Sequence, residues 1–100
     1  MPFDVQIREE AERDLESFRE FEQNRILDTI EDQLTYQPNV RTRNRKPLVG
    51  LSPNFEHKPP VWELKIGDVR VFYDVDDATQ VVQVRAIRRK LPNQTTDQIV

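Results

Sequence analysis

The 100-residue sequence contains no cysteine and only one histidine, one methionine, one tryptophan and two glycines. Without cysteine there is no disulfide framework, no thiolate nucleophile and no zinc site of the usual kind. The single His57 stands in a proline-rich stretch with no acid at metal-ligand spacing on a shared helix, so it is read as a surface residue, and no metal site is expected. No run approaches the ~18 consecutive apolar residues of a membrane span, and the first residues, with Asp4 and no apolar stretch, do not form a signal peptide. The expectation is a cytoplasmic chain with no membrane partner. A basic surplus is missing as well: the net charge is -3, which taken alone speaks against a polyanionic partner. What is present, 36% apolar and 33% charged residues, suits one small soluble domain over residues 1–100. A chain of this length buries somewhat under ~70% of its unfolded surface.

The net charge conceals a partition. Residues 1–36 hold four basic residues against eleven acidic ones, a local charge of -7, whereas residues 37–73 hold seven basic against three acidic, a local charge of +4. The remainder is balanced. An acidic front and a basic middle are evidence about partners rather than about fold.

The periodicity changes along the chain. Phe3 to Ile7 alternates apolar and polar residues, as a half-buried strand does. From Glu9 the spacing becomes helical: Ala11, Leu15 and Phe18 recur among acids, and Phe21 extends their stripe. A second stripe of Ile26, Leu27, Ile30 and Leu34 stops before Pro38, which predicts a two-helix hairpin with a short break near residues 22–25. Residues 37–60 carry five of the seven prolines and the basic cluster Arg41 to Lys46. They are expected to be irregular, with 46–51 docked on the core and 52–60 an exposed loop. Three strand-like runs follow at 61–66, 69–75 and 81–87, separated by hairpin-length turns, so they form an antiparallel meander. Residues 91–100 make a short tail with a turn of helix capped by Thr95 or Thr96. The fold class is α+β: an N-terminal strand and a two-helix hairpin packed on an antiparallel sheet.

Alternation divides the strands into faces. Trp62, Leu64, Ile66, Val69, Val71, Tyr73, Val75, Val82, Val84 and Ala86 form the core side, covered by the helices. The other side carries Glu63, Lys65, Arg70, Phe72, Asp74, Arg85, Ile87 and Arg89. This reads as an open face whose cations meet a phosphate backbone while Phe72 stacks on a base. The basic run Arg41 to Lys46 is either a solvated surface or a contact for a polyanion or an acidic protein segment.

The run Trp62-Glu63-Leu64-Lys65-Ile66-Gly67-Asp68-Val69-Arg70-Val71-Phe72-Tyr73, with Lys46-Pro47-Leu48 before it and Val84-Arg85-Ala86-Ile87 and Arg89-Lys90 after it, resembles the RelE/ParE superfamily of type II toxins. The likeness covers roughly residues 3–90, and the order of elements agrees. It implies the RelE-like fold, a cognate antitoxin with which a hetero-oligomer forms, and no cofactor. Members divide into ribosome-dependent mRNA endonucleases and inhibitors of DNA gyrase, and a toxin-fold protein that binds only its antitoxin is a further alternative. The RelE-like reading is metal-independent mRNA cleavage on the ribosome. That chemistry needs a base for the 2′-hydroxyl, cations for the phosphorane-like transition state and an acid for the leaving 5′-oxygen.

By the resemblance, Arg70 matches the central-strand arginine that holds the scissile phosphate. Lys65 matches a family lysine serving as base or clamp, and Lys90 falls where a further arginine is expected. Catalytic roles are thus assigned to Lys65, Arg70 and Lys90, and RNA contacts to Arg45, Lys46, Phe72, Arg85 and Arg89. Two departures bear on the chemistry. Glu63 replaces a family lysine and favours the charged ammonium of Lys65, and residues 91–100 lack the C-terminal tyrosine or histidine of many nucleases.

Overall fold

The alternation at Asp4, Val5, Gln6 and Ile7 builds β1 (Asp4–Ile7), and the switch to helical spacing begins α1 (Glu9–Glu16) in the computed structural model, which describes residues 2–100. Glu9, Glu10 and Glu12 occupy the first turn of α1, where the unpaired backbone N–H groups favour negative charge. The break before α2 (Glu20–Leu34) falls at residues 17–19, earlier than the spacing of apolar residues predicts. Ser17 caps the end of α1 through its hydroxyl, 2.6 Å from the Asp14 carbonyl, and Phe18 turns inward at the corner. Phe21 then begins on the outer side of α2 and is 68% exposed, so it does not extend the buried stripe. Ile26, Ile30 and Leu34 carry that stripe, with Leu27 at its exposed margin.

One five-stranded sheet has the order β1-β5-β4-β3-β2, with β2 at Arg45–Pro47, β3 at Trp62–Ile66, β4 at Val69–Asp76 and β5 at Val81–Arg89. The predicted meander is β3-β4-β5. Its first turn needs Gly67, whose φ of +59° lies where a Cβ is strained. Two pairings were not foreseen. β1 joins β5 in parallel, with Val5 opposite Val82, which makes the sheet mixed rather than antiparallel throughout. β2 pairs antiparallel with β3 from inside the stretch read as irregular. Three residues are too few for a period-two pattern to show, and Pro47 is tolerated because β2 is an edge strand.

Ala11, Leu15, Ile26, Ile30 and Leu34 of the helices pack on Leu64, Val71, Tyr73 and Val84 to form the principal core, where Trp62 and Tyr73 stack with ring centroids 6.3 Å apart. The opposite face is partly covered rather than open throughout. Phe55, Val61, Phe72, Ala86 and Ile99 form a second buried cluster, with Leu48 and Val100 against it. The 52–60 segment therefore docks through Phe55 instead of standing in solvent, and the tail docks through Ile99, just beyond the short 3-10 turn Thr96–Gln98. Single apolar residues in irregular segments carry no periodic signal, so this cover was invisible in the pattern.

A bulge reverses part of the face assignment. Phe72 pairs with Ala86 but Tyr73 pairs with Val84, leaving Arg85 as an extra residue on β5. Beyond it the alternation shifts by one position. Ile87 enters the helix-side core, and Ala86 joins Phe72 on the other face, the reverse of the expected placement of both. Among the described residues no helix is long and apolar enough to cross a membrane.

Candidate functional site

Lys65 on β3 stands opposite Arg70 on β4, which stands opposite Arg88 on β5. Like charges directly opposite on neighbouring strands cost stability, by the ~0.2–1 kcal/mol typical of cross-strand pairs. Three cations in a row thus carry a cost that contacts elsewhere must offset. Arg88 is drawn out of the row by Glu10 and Asp14 of α1. Burial raises the Asp14 carboxyl above its ordinary pKa, against the opposing pull of the Ile87 N–H and Arg88. Arg70 is buried and fixed by Nη1, which donates to the carbonyls of Gly67 at 2.8 Å and Val69 at 3.0 Å. Its Nε and Nη2 make no hydrogen bond among the described residues.

Around this pair the chain closes a cleft of about 250 Å³. β2 contributes Lys46, whose cross-strand partner is Glu63, and Asn44 extends the ladder by accepting the Lys65 N–H at 2.8 Å. Lys90 is held at the rim by its own N–H, which donates to the Asp68 carbonyl at 2.6 Å. Arg43 and the tail residue Thr96 complete the lining. Five cations thus surround one carboxylate, Glu63, which is 4% exposed. Its Oε2 accepts the Thr96 hydroxyl at 2.8 Å, and its Oε1 lies 3.8 Å from Lys46 Nζ. Lys65 and Lys90 have no ion-pair partner among the described residues. No three His, Asp or Glu side chains gather as a metal-ligand set among those residues.

Of the residues singled out from the sequence, Lys46, Lys65, Arg70 and Lys90 are brought together, and four others are placed elsewhere. Arg45 faces the helices, where Nη1 donates to the Gln37 carbonyl at 2.7 Å and to that of Gln33. It thereby satisfies an unpaired carbonyl near the C-terminus of α2. Phe72 is fully buried under Phe55, which excludes it as an exposed stacking platform in this conformation. Arg85 is buried in a 2.7 Å ion pair with Asp74, whose carboxylate also accepts the Lys58 N–H at 3.0 Å. Arg89 lies on the helix side, bridging Glu22 at 2.8 Å and Asp68 at 2.7 Å above the Phe18 ring. Those two hydrogen-bonded acids raise its pKa and hold Glu22 below the ordinary value. The bulge at Arg85 is what carries Arg89 across to the helix side. His57 is half-buried against Phe55, with Nδ1 2.8 Å from the Phe55 carbonyl, and takes no part in the cleft.

Arg43, Asn44 and Thr96 were not named as site residues from the sequence. The available signal for the first two was the alternation Arg43, Arg45 against Asn44, Lys46, which becomes meaningful only once β2 is recognised as a strand.

The family model for the ParE toxin of type II toxin-antitoxin systems, parDE, matches residues 5–91. The chain belongs to this toxin family. No curated protein sequence matches it significantly. The toxin is similar in fold to the RelBE2 toxin-antitoxin complex from Mycobacterium tuberculosis, with a TM-score of 0.68 at 19% identity over 90% of this chain and 100% of the other. It is also similar to the archaeal RelE-RelB complex from Pyrococcus horikoshii, with a TM-score of 0.65 at 22% identity over 92% and 99% of the two chains. These likenesses agree with the α+β arrangement of two helices on a five-stranded mixed sheet.

Proposed function

We propose that this toxin acts in the cytoplasm as a ribosome-dependent mRNA endonuclease whose site is the cleft between β2, β3, β4 and Lys90. The observation that carries the reading is the convergence of Lys46, Lys65, Arg70 and Lys90 on one concave surface, with Lys65 and Lys90 free of ion pairs among the described residues. Arg70 holds the scissile phosphate through the guanidinium nitrogens that its two carbonyl contacts leave unused. Lys65 works on the 2′-hydroxyl side, and Lys90 meets the charge that develops on the phosphoryl oxygens and the leaving 5′-oxygen. Such cations suit a reaction in which negative charge grows on the phosphorus-bound oxygens. The two similar structures are toxin-antitoxin complexes, which supports a cognate antitoxin that binds this toxin and silences it.

A second reading, non-enzymatic inhibition of DNA gyrase, is favoured by two features: the family model that matches residues 5–91 is that of the ParE toxin, and Glu63 puts a carboxylate where the cleavage chemistry benefits from a cation. Toeprinting of a ribosome-bound message with purified toxin separates the two. The expected result is a cut in the ribosomal A site that Arg70→Ala abolishes, together with loss of growth inhibition and a retained circular dichroism spectrum. No cut, alongside gyrase-dependent DNA breaks, would replace the first reading by the second. A fully toxic Arg70→Ala variant would remove the cleft from consideration.

A further inference from the structure

Glu63 is unusual in its setting. It is almost fully buried at the floor of a cleft with five cations, yet it is not neutralised by a close bidentate pair. Its nearest cation, Lys46 Nζ, is 3.8 Å away, and its one hydrogen bond in the cleft comes from the Thr96 hydroxyl at 2.8 Å. Cross-strand pairing fixes the backbone positions: Lys46 is opposite Glu63, and Glu63 is opposite the buried Phe72. A carboxylate here offers two anionic oxygens to the same cations that an incoming phosphate must meet.

Resting on the cleft reading above, we propose that Glu63 is a specificity-determining residue that acts as an internal counter-ion, lowering the cleft's affinity for a single phosphate and reserving binding for ligands that engage several cations at once. Lys46, attracted by Glu63, is withheld from the ligand. Lys65, Arg70 and Lys90 remain available, and a single phosphate entering among them meets the charge of Glu63, which is buried at the floor of the cleft and so less screened by water than an exposed carboxylate. An RNA strand offsets that repulsion by presenting consecutive phosphates, whereas inorganic phosphate does not. The Thr96 contact makes Glu63 a positioning residue for the tail as well, so charge and anchoring are separable by mutation.

The test is equilibrium binding of a short fluorescein-labelled oligouridylate and of inorganic phosphate to the full chain, over a range of salt concentrations. Glu63→Gln keeps an oxygen that accepts the Thr96 hydroxyl and removes the charge. It should bind the oligonucleotide about tenfold tighter and inorganic phosphate measurably, with a log-log salt slope steeper by about 0.7, corresponding to one cation released to the ligand. Thr96→Val removes the hydrogen bond and leaves the charge, and it should leave the salt slope unchanged. Equal affinity and equal slope for Glu63→Gln and wild type would overturn the proposal. So would a Thr96→Val variant that reproduces the Glu63→Gln slope, because the effect would then be one of tail anchoring. Lys65→Ala and Lys90→Ala keep the two levels apart. If they weaken oligonucleotide binding while Glu63→Gln fails to strengthen it, only the role of Glu63 falls. If they bind as wild type does, the cleft is not the RNA surface and both readings fall.

Discussion

Tyr73 shows how a single buried polar atom ties the irregular middle of the chain to the sheet. Its ring packs in the principal core, and its hydroxyl donates to the Pro38 carbonyl at 2.6 Å, just past the end of α2. Tyr73→Phe removes that donor and leaves a carbonyl unpaired, so stability should fall by about 1–2 kcal/mol. A urea titration checks this, with a lower midpoint and an unchanged slope. Burial pushes the phenol well above its ordinary value of 10.0, so the folded chain keeps the proton after the unfolded chain has lost it. The contribution is complete below pH ~10 and is lost as pH rises through the folded value. The decline of stability above pH ~10 should therefore be shallower in Tyr73→Phe than in wild type. The sequence placed Tyr73 in the core correctly because it alternates with Val71 and Val75. The carbonyl it meets, 35 residues away, leaves no trace in that alternation.

Among the elements, β4 and β5 send buried side chains to both faces, and the tail helps to cover the second. Ile99 is 9% exposed against Phe55, Phe72 and Ala86, an amount of burial that Gln94 to Gln98 do not suggest. Ile99→Ala should lower stability by about 2 kcal/mol. It should also raise binding of an apolar fluorescent dye as Phe72 becomes accessible, measured by fluorescence at constant protein concentration; unchanged values in both measurements would show that the tail does not close this face. The helices and β3 to β5 were legible because each repeats its period over several turns or pleats. β2, the parallel pairing of β1 and the bulge at Arg85 were not. The first is three residues long, the second depends on an element more than 70 residues away, and the third is a register choice invisible to one strand alone.

At the scale of the whole molecule, the acidic front and the basic remainder are not merely two surfaces. The helices bring Glu10, Asp14 and Glu22 against Arg88 and Arg89 at the end of β5, so part of the -7 region is consumed by ion pairs between layers. Arg43, Lys65, Arg70 and Lys90, which find no such partner among the described residues, gather at the cleft with Lys46. The Arg89 hydrogen bond holds Glu22 below its ordinary value of 4.5, so this pair adds stability above that pH and loses it as pH falls through the lowered value. Burial shifts Asp14 the opposite way, so Asp14 favours the folded state as it protonates. Glu22→Gln should accordingly show a shallower loss of stability than wild type as pH is lowered below about 4.5, measured by denaturant titration at each pH.

Short-range pattern determined the α+β class, the helix pair, the three-stranded meander and the concentration of cations in the middle of the chain, because each of these repeats over neighbouring residues. Which cations remain available was decided only in three dimensions. Arg45, Arg85 and Arg89 look equivalent to Lys46, Lys65 and Lys90 in a charge count. The bulge, the short β2 strand and the α2 terminus give the arginines carbonyl or carboxylate partners and leave Lys65 and Lys90 facing the cleft, with Glu63 set among them. A charge is spent or free according to what the fold places within a few ångströms of it, and that distance is not a property of the sequence neighbourhood.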